Sequence, residues 1–312
     1  MRLLIVTGGT GGHIYPALAL AQAAEKRYSD LDLLFIGNDD RMEATIIPQA
    51  GYAFSSLHTS GLTKGITQKA KAIVQMLKAI TQAKKIIREW KPDLVIGFGG
   101  YVSAPVILAA HALHIPTLIH EQNSIAGASN RLAARYADGI IICYERLFEC
   151  FDRKKTRLLG NPRASSVLEV PFNKTYFTSL GLRMDQPLIL VVMGSLGSTS
   201  VNDIMCEALP KLNQAYQILF VCGKGNLETV KKQLPKRDNL HVVEYVSQLE
   251  IMDQVDLIIC RAGATTAAEI TVSGTPAIIV PSPYVAHNHQ FYNASVLADH
   301  KAAFLVEEKD LN

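Results

Sequence analysis

No stretch of the 312 residues approaches 18 consecutive apolar side chains, so nothing in the chain is expected to span a bilayer. The first residues, Met1-Arg2-Leu3-Leu4-Ile5-Val6, run straight into glycine-rich sequence, without the apolar region and cleavage site of a secretory leader. The five cysteines (Cys143, Cys150, Cys206, Cys222 and Cys260) are scattered, with no Cys-x-x-Cys and no His/Cys cluster. That spacing speaks against a disulfide frame or a zinc site and predicts reduced thiols in a cytosolic compartment. A GxxxxGK[ST] phosphate loop is absent as well.

What is present fits an ordinary folded protein: 48% of residues are hydrophobic and 19% charged, and the length suits two α/β domains. The net charge of +3 is unevenly distributed. Residues 1–162 hold 19 Lys and Arg against 13 Asp and Glu; residues 163–312 hold 12 against 15. A basic first half beside an acidic second half predicts different partners for the two.

Apolar β-rich runs alternate with longer helix-like stretches, the pattern of parallel sheets covered by helices. One set of strings occurs twice in the same order. Leu3–Thr7 closes on TGGTGGH, as Leu188–Val192 closes on MGSLGSTS; PDLVIGFGG (92–100) parallels VDLIICRAGA (255–264); IPTLIH (115–120) parallels TPAIIV (275–280). The repetition predicts two Rossmann-like domains, 1–162 and 163–312, divided near Gly160-Asn161-Pro162.

TGGTGGH follows a strand and precedes a helix-like stretch from Tyr15 to Arg27, so its backbone amides are placed to hold an anion or a sugar hydroxyl. It is not a dinucleotide fingerprint: GxGxxG would need glycine at position 14, which is Ile14. His13 sits at the mouth of this turn, where a neutral imidazole suits proton abstraction from a hydroxyl; the position equally suits a histidine that merely caps the turn. Gly194-Ser195-Leu196-Gly197 reads as a phosphate turn or an empty tight turn. In CRAGATTAAE a helix is expected to begin near Thr265, with Glu269 one turn on, either reaching ribose hydroxyls or solvated on a helix surface.

Taken together, GGTGGH (8–13), NDDRMEATIIPQAG (38–51), GFGGYVSAP (97–105), HEQNSIAG (120–127), GNPR (160–163), CRAGATTAAE (260–269) and NHQFYNA (288–294) resemble the MurG family along essentially the whole chain. The resemblance implies a GT-B glycosyltransferase, two Rossmann-like domains facing across a cleft. It implies metal-independent, inverting transfer of N-acetylglucosamine from UDP-N-acetylglucosamine, the donor substrate, with no cofactor. The acceptor implied is the 4-hydroxyl of the muramyl sugar of undecaprenyl-pyrophosphoryl-muramyl-pentapeptide, at the cytoplasmic face of the membrane, in cell-wall synthesis. By resemblance His13 is the base, with Glu121 as alternative base or orienter. Thr10, Gly11 and Gly12 line the site near donor sugar and acceptor, and Asn123 and Gln290 lie by the sugar. Ser195 meets the phosphates, Val246 offers a main-chain contact to uracil, and Ala264, Thr265, Thr266 and Glu269 cradle phosphate and ribose. Arg163 and His289 complete the substrate set.

The sequence departs from the family in places. Met193-Gly194-Ser195-Leu196-Gly197 stands where GGSQG is usual, Arg163 follows GNP directly, and His289 stands where some members have glutamine. The chain also ends at Asn312, which predicts a few dozen residues fewer than the family's full length.

Residues 64–91 carry Lys64, Lys69, Lys71, Lys78, Lys84, Lys85, Arg88 and Lys91 against Glu89 alone, with Ile73, Leu77, Ile80, Ile87 and Trp90 at near-helical spacing. A basic amphipathic helix is expected, its polar face suited to an anionic membrane surface and its apolar stripe equally suited to a core. Nucleic acid is not expected, since no basic motif with interleaved aromatics accompanies it. Two other readings stand beside the transferase: a UDP-sugar epimerase of the same fold, and an inactive, truncated nucleotide-binding protein.

Overall fold

The computed structural model describes residues 1–59, 66–194 and 197–311. The chain divides into two compact units, Met1–Arg163 and Ala164–Asn312. Arg163, expected to open the second half, groups with the first, where its guanidinium lies 5.3 Å from the centre of the Tyr15 ring.

In the first unit seven parallel strands, β1 (Arg2–Val6), β2 (Asp32–Asn38), β3 (Ala53–Leu57), β4 (Leu94–Gly97), β5 (Thr117–Glu121), β6 (Gly139–Ile142) and β7 (Thr156–Leu158), lie in the order 3-2-1-4-5-6-7. In the second, β8 (Leu188–Val192), β9 (Gln217–Val221), β10 (Leu240–Val243), β11 (Val255–Cys260), β12 (Ala277–Ile279) and β13 (Phe304–Leu305) lie in the order 10-9-8-11-12-13. Subtracting seven from each label of the second sheet reproduces the first up to its sixth strand. The strings that recur in the sequence are therefore the strands that recur in space, both sets turning outward from a central first strand.

The helices between strands are α1 (Gly11–Arg27), α2 (Glu43–Gln49), α3 (Ile66–Trp90), α4 (Ser103–His111) and α5 (Ala128–Ala133) in the first unit. In the second they are α6 (Arg163–Glu169, its first residue still in the first unit), α7 (Lys174–Ser179), α8 (Thr199–Ala208), α9 (Leu227–Gln233), α10 (Gln248–Ile251), α11 (Ala264–Ser273) and α12 (His289–Asp299). Each sheet is buried on both faces, which is why its strands read as unbroken apolar runs. Along β1, Leu3 and Ile5 enter the core under α1, while Leu4 and Val6 enter the core under α3, α4 and α5. Along β8, Leu188 and Leu190 face one core, Ile189 and Val191 the other.

The repeated Asp of PDLV and VDLI has a physical meaning. Asp93 Oδ2 accepts the backbone N–H of Arg2 at 2.8 Å, and Asp256 Oδ2 accepts that of Leu188 at 2.8 Å. In each unit a carboxylate at the start of one strand holds the first residue of its neighbour, tying the two at their amino ends.

Two helices differ from expectation. α1 begins at Gly11, not near Tyr15: Thr10 is extended, and its carbonyl accepts the N–H groups of His13 and Ile14 at 3.0 and 3.2 Å. The first helical N–H groups have no intrahelical partner in any case, so glycine there does not stop the helix. Pro16 has no N–H to give the Gly12 carbonyl. Along α3 the apolar stripe has two fates. Ala79, Ala83 and Ile87 are buried, with Ile80, Ile86 and Trp90 packed against the same core, whereas Ile73 (60%), Val74 (51%) and Leu77 (59%) stay exposed. Lys64 and the side chains of Lys69 and Lys71 lie outside the described residues.

Candidate active site

In the first unit the carboxyl ends of β1, β4 and β5 are adjacent, since Val6 pairs with Gly97 and Gly97 with Ile119. The loops that follow meet there. His13 stands in the first turn of α1, with Nδ1 3.3 Å from Thr10 Oγ1. Its ring lies against the second glycine turn: a Cβ on Gly99 would fall 2.9 Å from His13 Cδ2 and 3.0 Å from Nε2. GGTGGH and GFGG are thus two halves of one construction, the second leaving room for the imidazole of the first.

Glu121 is buried at the end of β5, and both its oxygens are engaged. Oε1 accepts Asn123 N–H at 3.0 Å and Asn123 Nδ2 at 3.3 Å; Oε2 accepts Gly127 N–H and Asn130 Nδ2, each at 2.9 Å. Four donors converge on one carboxylate, which folds the HEQNSIAG loop around it and sets the half-buried Asn123 in place. Asn130, not singled out from sequence, bridges Glu121 and the His120 carbonyl (3.0 Å). Its amide also borders Gly99, 3.6 Å from a Cβ placed there.

His120 is the second imidazole of the region. Burial lowers its pKa to about 4; the hydrogen bond to the Gly160 carbonyl (3.0 Å) opposes that shift, and the nearby His13 adds to it. It is neutral at physiological pH. Cys143 Sγ lies 3.7 Å from its Nε2, and burial pushes that thiol far above the usual range.

In the second unit Val192 and Cys260 end side by side on β8 and β11. After β8 the described chain runs to Gly194 and resumes at Gly197 before α8; Ser195 and Leu196 lie outside the described residues. After β11, Arg261-Ala262-Gly263 lead directly into α11, whose first residue is Ala264. Thr265 Oγ1, in the first turn, is buried with no hydrogen-bond partner among the described residues. A buried hydroxyl ordinarily has a partner, whether protein, water or ligand, and Thr7 and Ser103 of the first unit share this feature with Thr265. Glu269 is buried, not solvated, and accepts from Gln248 Nε2 at 3.3 Å. Thr266 is half-buried beside Gly263.

The remaining expected residues are held by their loops. Gln290 Oε1 accepts the Ser282 N–H at 2.8 Å, and His289 Nδ1 lies 2.9 Å from the Ala286 carbonyl. Val246 is buried in the core, which leaves only its peptide for a ligand. Two features escaped the sequence reading. Asn293 Nδ2 donates to the Ala262 carbonyl at 3.1 Å, tying α12 to the turn after β11. Arg261 pairs with Glu308 at 2.7 Å, both nearly buried, and Glu308 also accepts Ser200 Oγ in the first turn of α8 at 3.0 Å. Among the described residues no three His, Cys, Asp or Glu are grouped to hold a metal ion. Asp30-Leu31-Asp32, the chain's Asp-x-Asp string, lies at the amino end of β2, where Asp32 faces Arg2 at 3.8 Å.

Both halves of the chain are similar to known proteins. The glycosyltransferase family 28 N-terminal domain matches residues 3–142 and the family's C-terminal domain residues 188–312. A protein of an Exiguobacterium species, named UDP-N-acetylglucosamine–N-acetylmuramyl-(pentapeptide) pyrophosphoryl-undecaprenol N-acetylglucosamine transferase, is 41% identical over 100% of this chain and 88% of its own length. The crystal structure of MurG from Acinetobacter baumannii is 28% identical, with a TM-score of 0.77, covering 100% of this chain and 87% of that one. A UDP-GlcNAc 2-epimerase from Neisseria meningitidis, bound to UDP-GlcNAc, covers 100% and 89% with a TM-score of 0.67, but at 15% identity it shares the fold alone. Two Rossmann-like parallel-sheet units of the GT-B class, both family 28 domains in order and full-length identity to a named transferase lead to one conclusion: the chain belongs to the MurG family of glycosyltransferases.

Proposed function

We propose that the chain transfers N-acetylglucosamine from UDP-N-acetylglucosamine to the 4-hydroxyl of the muramyl sugar of undecaprenyl-pyrophosphoryl-muramyl-pentapeptide, inverting the anomeric carbon. The observation that carries this reading is identity of 41% over the whole chain to a transferase named for that donor and acceptor. The epimerase alternative has only the shared fold in its favour.

His13 is the base. With its proton on Nδ1, donated to Thr10 Oγ1, the imidazole keeps a lone pair on Nε2. That nitrogen takes the acceptor proton as the hydroxyl oxygen bonds to the anomeric carbon, while the bond from that carbon to the UDP oxygen breaks and its electron pair leaves with the diphosphate. His120, buried, weakened as a base by its lowered pKa and held at Nε2 by the Gly160 carbonyl, and the fully engaged Glu121 support this choice, since neither is arranged to take a proton from an incoming hydroxyl. Thr10, Gly11 and Gly12 line the site near donor sugar and acceptor, and Asn123 lies by the sugar.

The donor falls to the second unit. The α11 N-terminus and the unpartnered Thr265 hydroxyl suit a diphosphate, with Ala264 and Thr266 beside them, and stabilise the leaving group without a metal ion. Buried Glu269 suits the ribose hydroxyls, the Val246 peptide suits uracil, and Gln290 and His289 suit the sugar. Ser195 completes the phosphate contacts. Arg163 belongs with the acceptor side, where it already stacks on Tyr15. No cofactor enters this scheme.

The acceptor's lipid calls for a peripheral membrane contact at the cytoplasmic face. No described helix is long and apolar enough to cross a membrane. Support for α3 as the contact comes from the exposed Ile73, Val74 and Leu77, with Lys78, Lys84, Lys85 and Arg88 on the same helix.

A transfer assay with radiolabelled UDP-N-acetylglucosamine and a lipid-linked muramyl acceptor tests the proposal. Label moving into the lipid fraction is the expected result. Epimerised donor beside an untouched acceptor would overturn it.

A further inference from the structure

The string NDDRMEATIIPQAG has no part in the chemistry above, yet it holds a carboxylate with no solvent exposure at all. Glu43, the first residue of α2, is fully buried beneath the first glycine loop. Its Oε2 accepts the Gly9 N–H at 3.1 Å, across 34 residues of sequence, and its Oε1 accepts the Asn38 N–H at 3.0 Å. One side chain therefore fastens the loop after β1 to the end of β2. The fit leaves no slack: a Cβ on Gly8 would collide with Glu43 Oε1, and one on Gly37 with Glu43 Cγ. From the other side Gly100 presses on the Gly8 carbonyl, where a Cβ would also collide. Immediately past Gly9 come Thr10, the cap of α1 and partner of His13, and then His13 itself, resting on Gly99.

A buried acidic side chain is a costly means of tethering two amides if stability alone is served, because its polar oxygens must be stripped of water. What it supplies is rigid, two-point acceptance at a fixed spot. We propose that Glu43 is a positioning residue for the transfer: by clamping Gly9 against Asn38 it sets the path of the glycine loop, and so the place and tilt of the His13 imidazole. The inference rests on the reading of His13 as base, and the test separates the two.

The test is a double-mutant cycle in the full chain: Glu43→Gln, His13→Ala and the pair, assayed for transfer with donor and lipid-linked acceptor. UDP affinity and thermal midpoint are measured on the same preparations. Gln keeps the size of the side chain but sets an NH2 against one of the two backbone N–H groups, so the loop must shift. Glu43→Gln is expected to lower kcat about 100-fold, the scale of a misplacement on the order of 1 Å, with UDP dissociation constant and donor KM unchanged. In the His13→Ala background the same change is expected to cost less than about threefold, because partners in one unit do not add. Equal fold-losses in both backgrounds, or lost UDP affinity, would overturn the positioning role while leaving His13 in place. Full turnover by His13→Ala alone would remove the base assignment and this inference with it. Should Glu43→Gln not fold, Gly8→Ala displaces the same carboxylate and goes through the same cycle; wild-type kcat in Gly8→Ala would overturn the proposal.

Discussion

Counted from their paired ends, the two sheets can be laid over one another: Val6 beside Gly97 corresponds to Val192 beside Cys260, and Ile119 corresponds to Ile279. One step further the likeness ends. The first sheet continues with His120 and Glu121, the second with Val280 and Pro281. Where Phe98-Gly99-Gly100 bends to receive an imidazole, Arg261-Ala262-Gly263 runs straight into a helix. The fold is duplicated and the side chains at the strand ends are not: His13, His120 and Glu121 gather at one set, and Thr265, Thr266 and Glu269 on the first turns of α11 follow the other.

If the first unit holds the base and the second the nucleotide, substitutions should separate along that line. His13→Ala is expected to lower kcat by about 10²- to 10⁴-fold, the range for losing a general base, without altering the UDP dissociation constant. Titration with UDP beside steady-state kinetics checks this, and a parallel loss of UDP affinity would erase the distinction. Acid should act on the first unit through His120, and with the same sign on the second through His241, whose pKa burial also lowers. His120 has a folded pKa below its unfolded value, so the stability it contributes is full above the unfolded pKa and is lost as pH falls toward about 4. Urea unfolding at pH 7 and pH 4.5 should reveal a drop whose limit is ~3 kcal/mol, and His120→Gln should flatten it. In the second unit, Glu269→Ala is expected to weaken UDP binding about tenfold, ~1.4 kcal/mol, with kcat at saturating donor little changed. Calorimetric titration reads this directly. Smallest in stability is Leu77→Ser on the exposed end of α3, within ~0.5 kcal/mol of wild type. Sedimentation with anionic vesicles should nonetheless fall, and unchanged co-sedimentation would withdraw α3 from the membrane.

Much of the fold was legible because it is local and periodic. Runs such as Leu3–Thr7 and Leu188–Val192 declare buried strands, and their recurrence in order declares a repeated topology. Where α1 begins was not legible, because glycine marks a turn in sequence while a helix tolerates it in its first turn. The α3 stripe read as one face, yet packing divides it: Ala83 and Ile87 meet the core, and the same periodicity at Ile73 and Leu77 meets none. The place of His13, in the turn that follows β1, was legible from the strand before it. Glu43, Asn130 and the Arg261–Glu308 pair were not, for their meaning lies in partners that only folding brings near. Asn130 stood three residues past a quoted motif, the one nearby signal that pointed to it.

The paired aspartates at the opposite rim have a consequence for how such a molecule can change. Asp93 and Asp256 each secure a neighbouring strand at its beginning, as far along the sheet as a strand allows from the loops that carry reactivity. Upkeep of the scaffold and invention of new specificity thus draw on separate stocks of residues. Loops at the business end are free to be rewritten while the aspartate rivets keep the plates aligned, and a sheet frayed at Asp93 or Asp256 would fail with every reactive group intact.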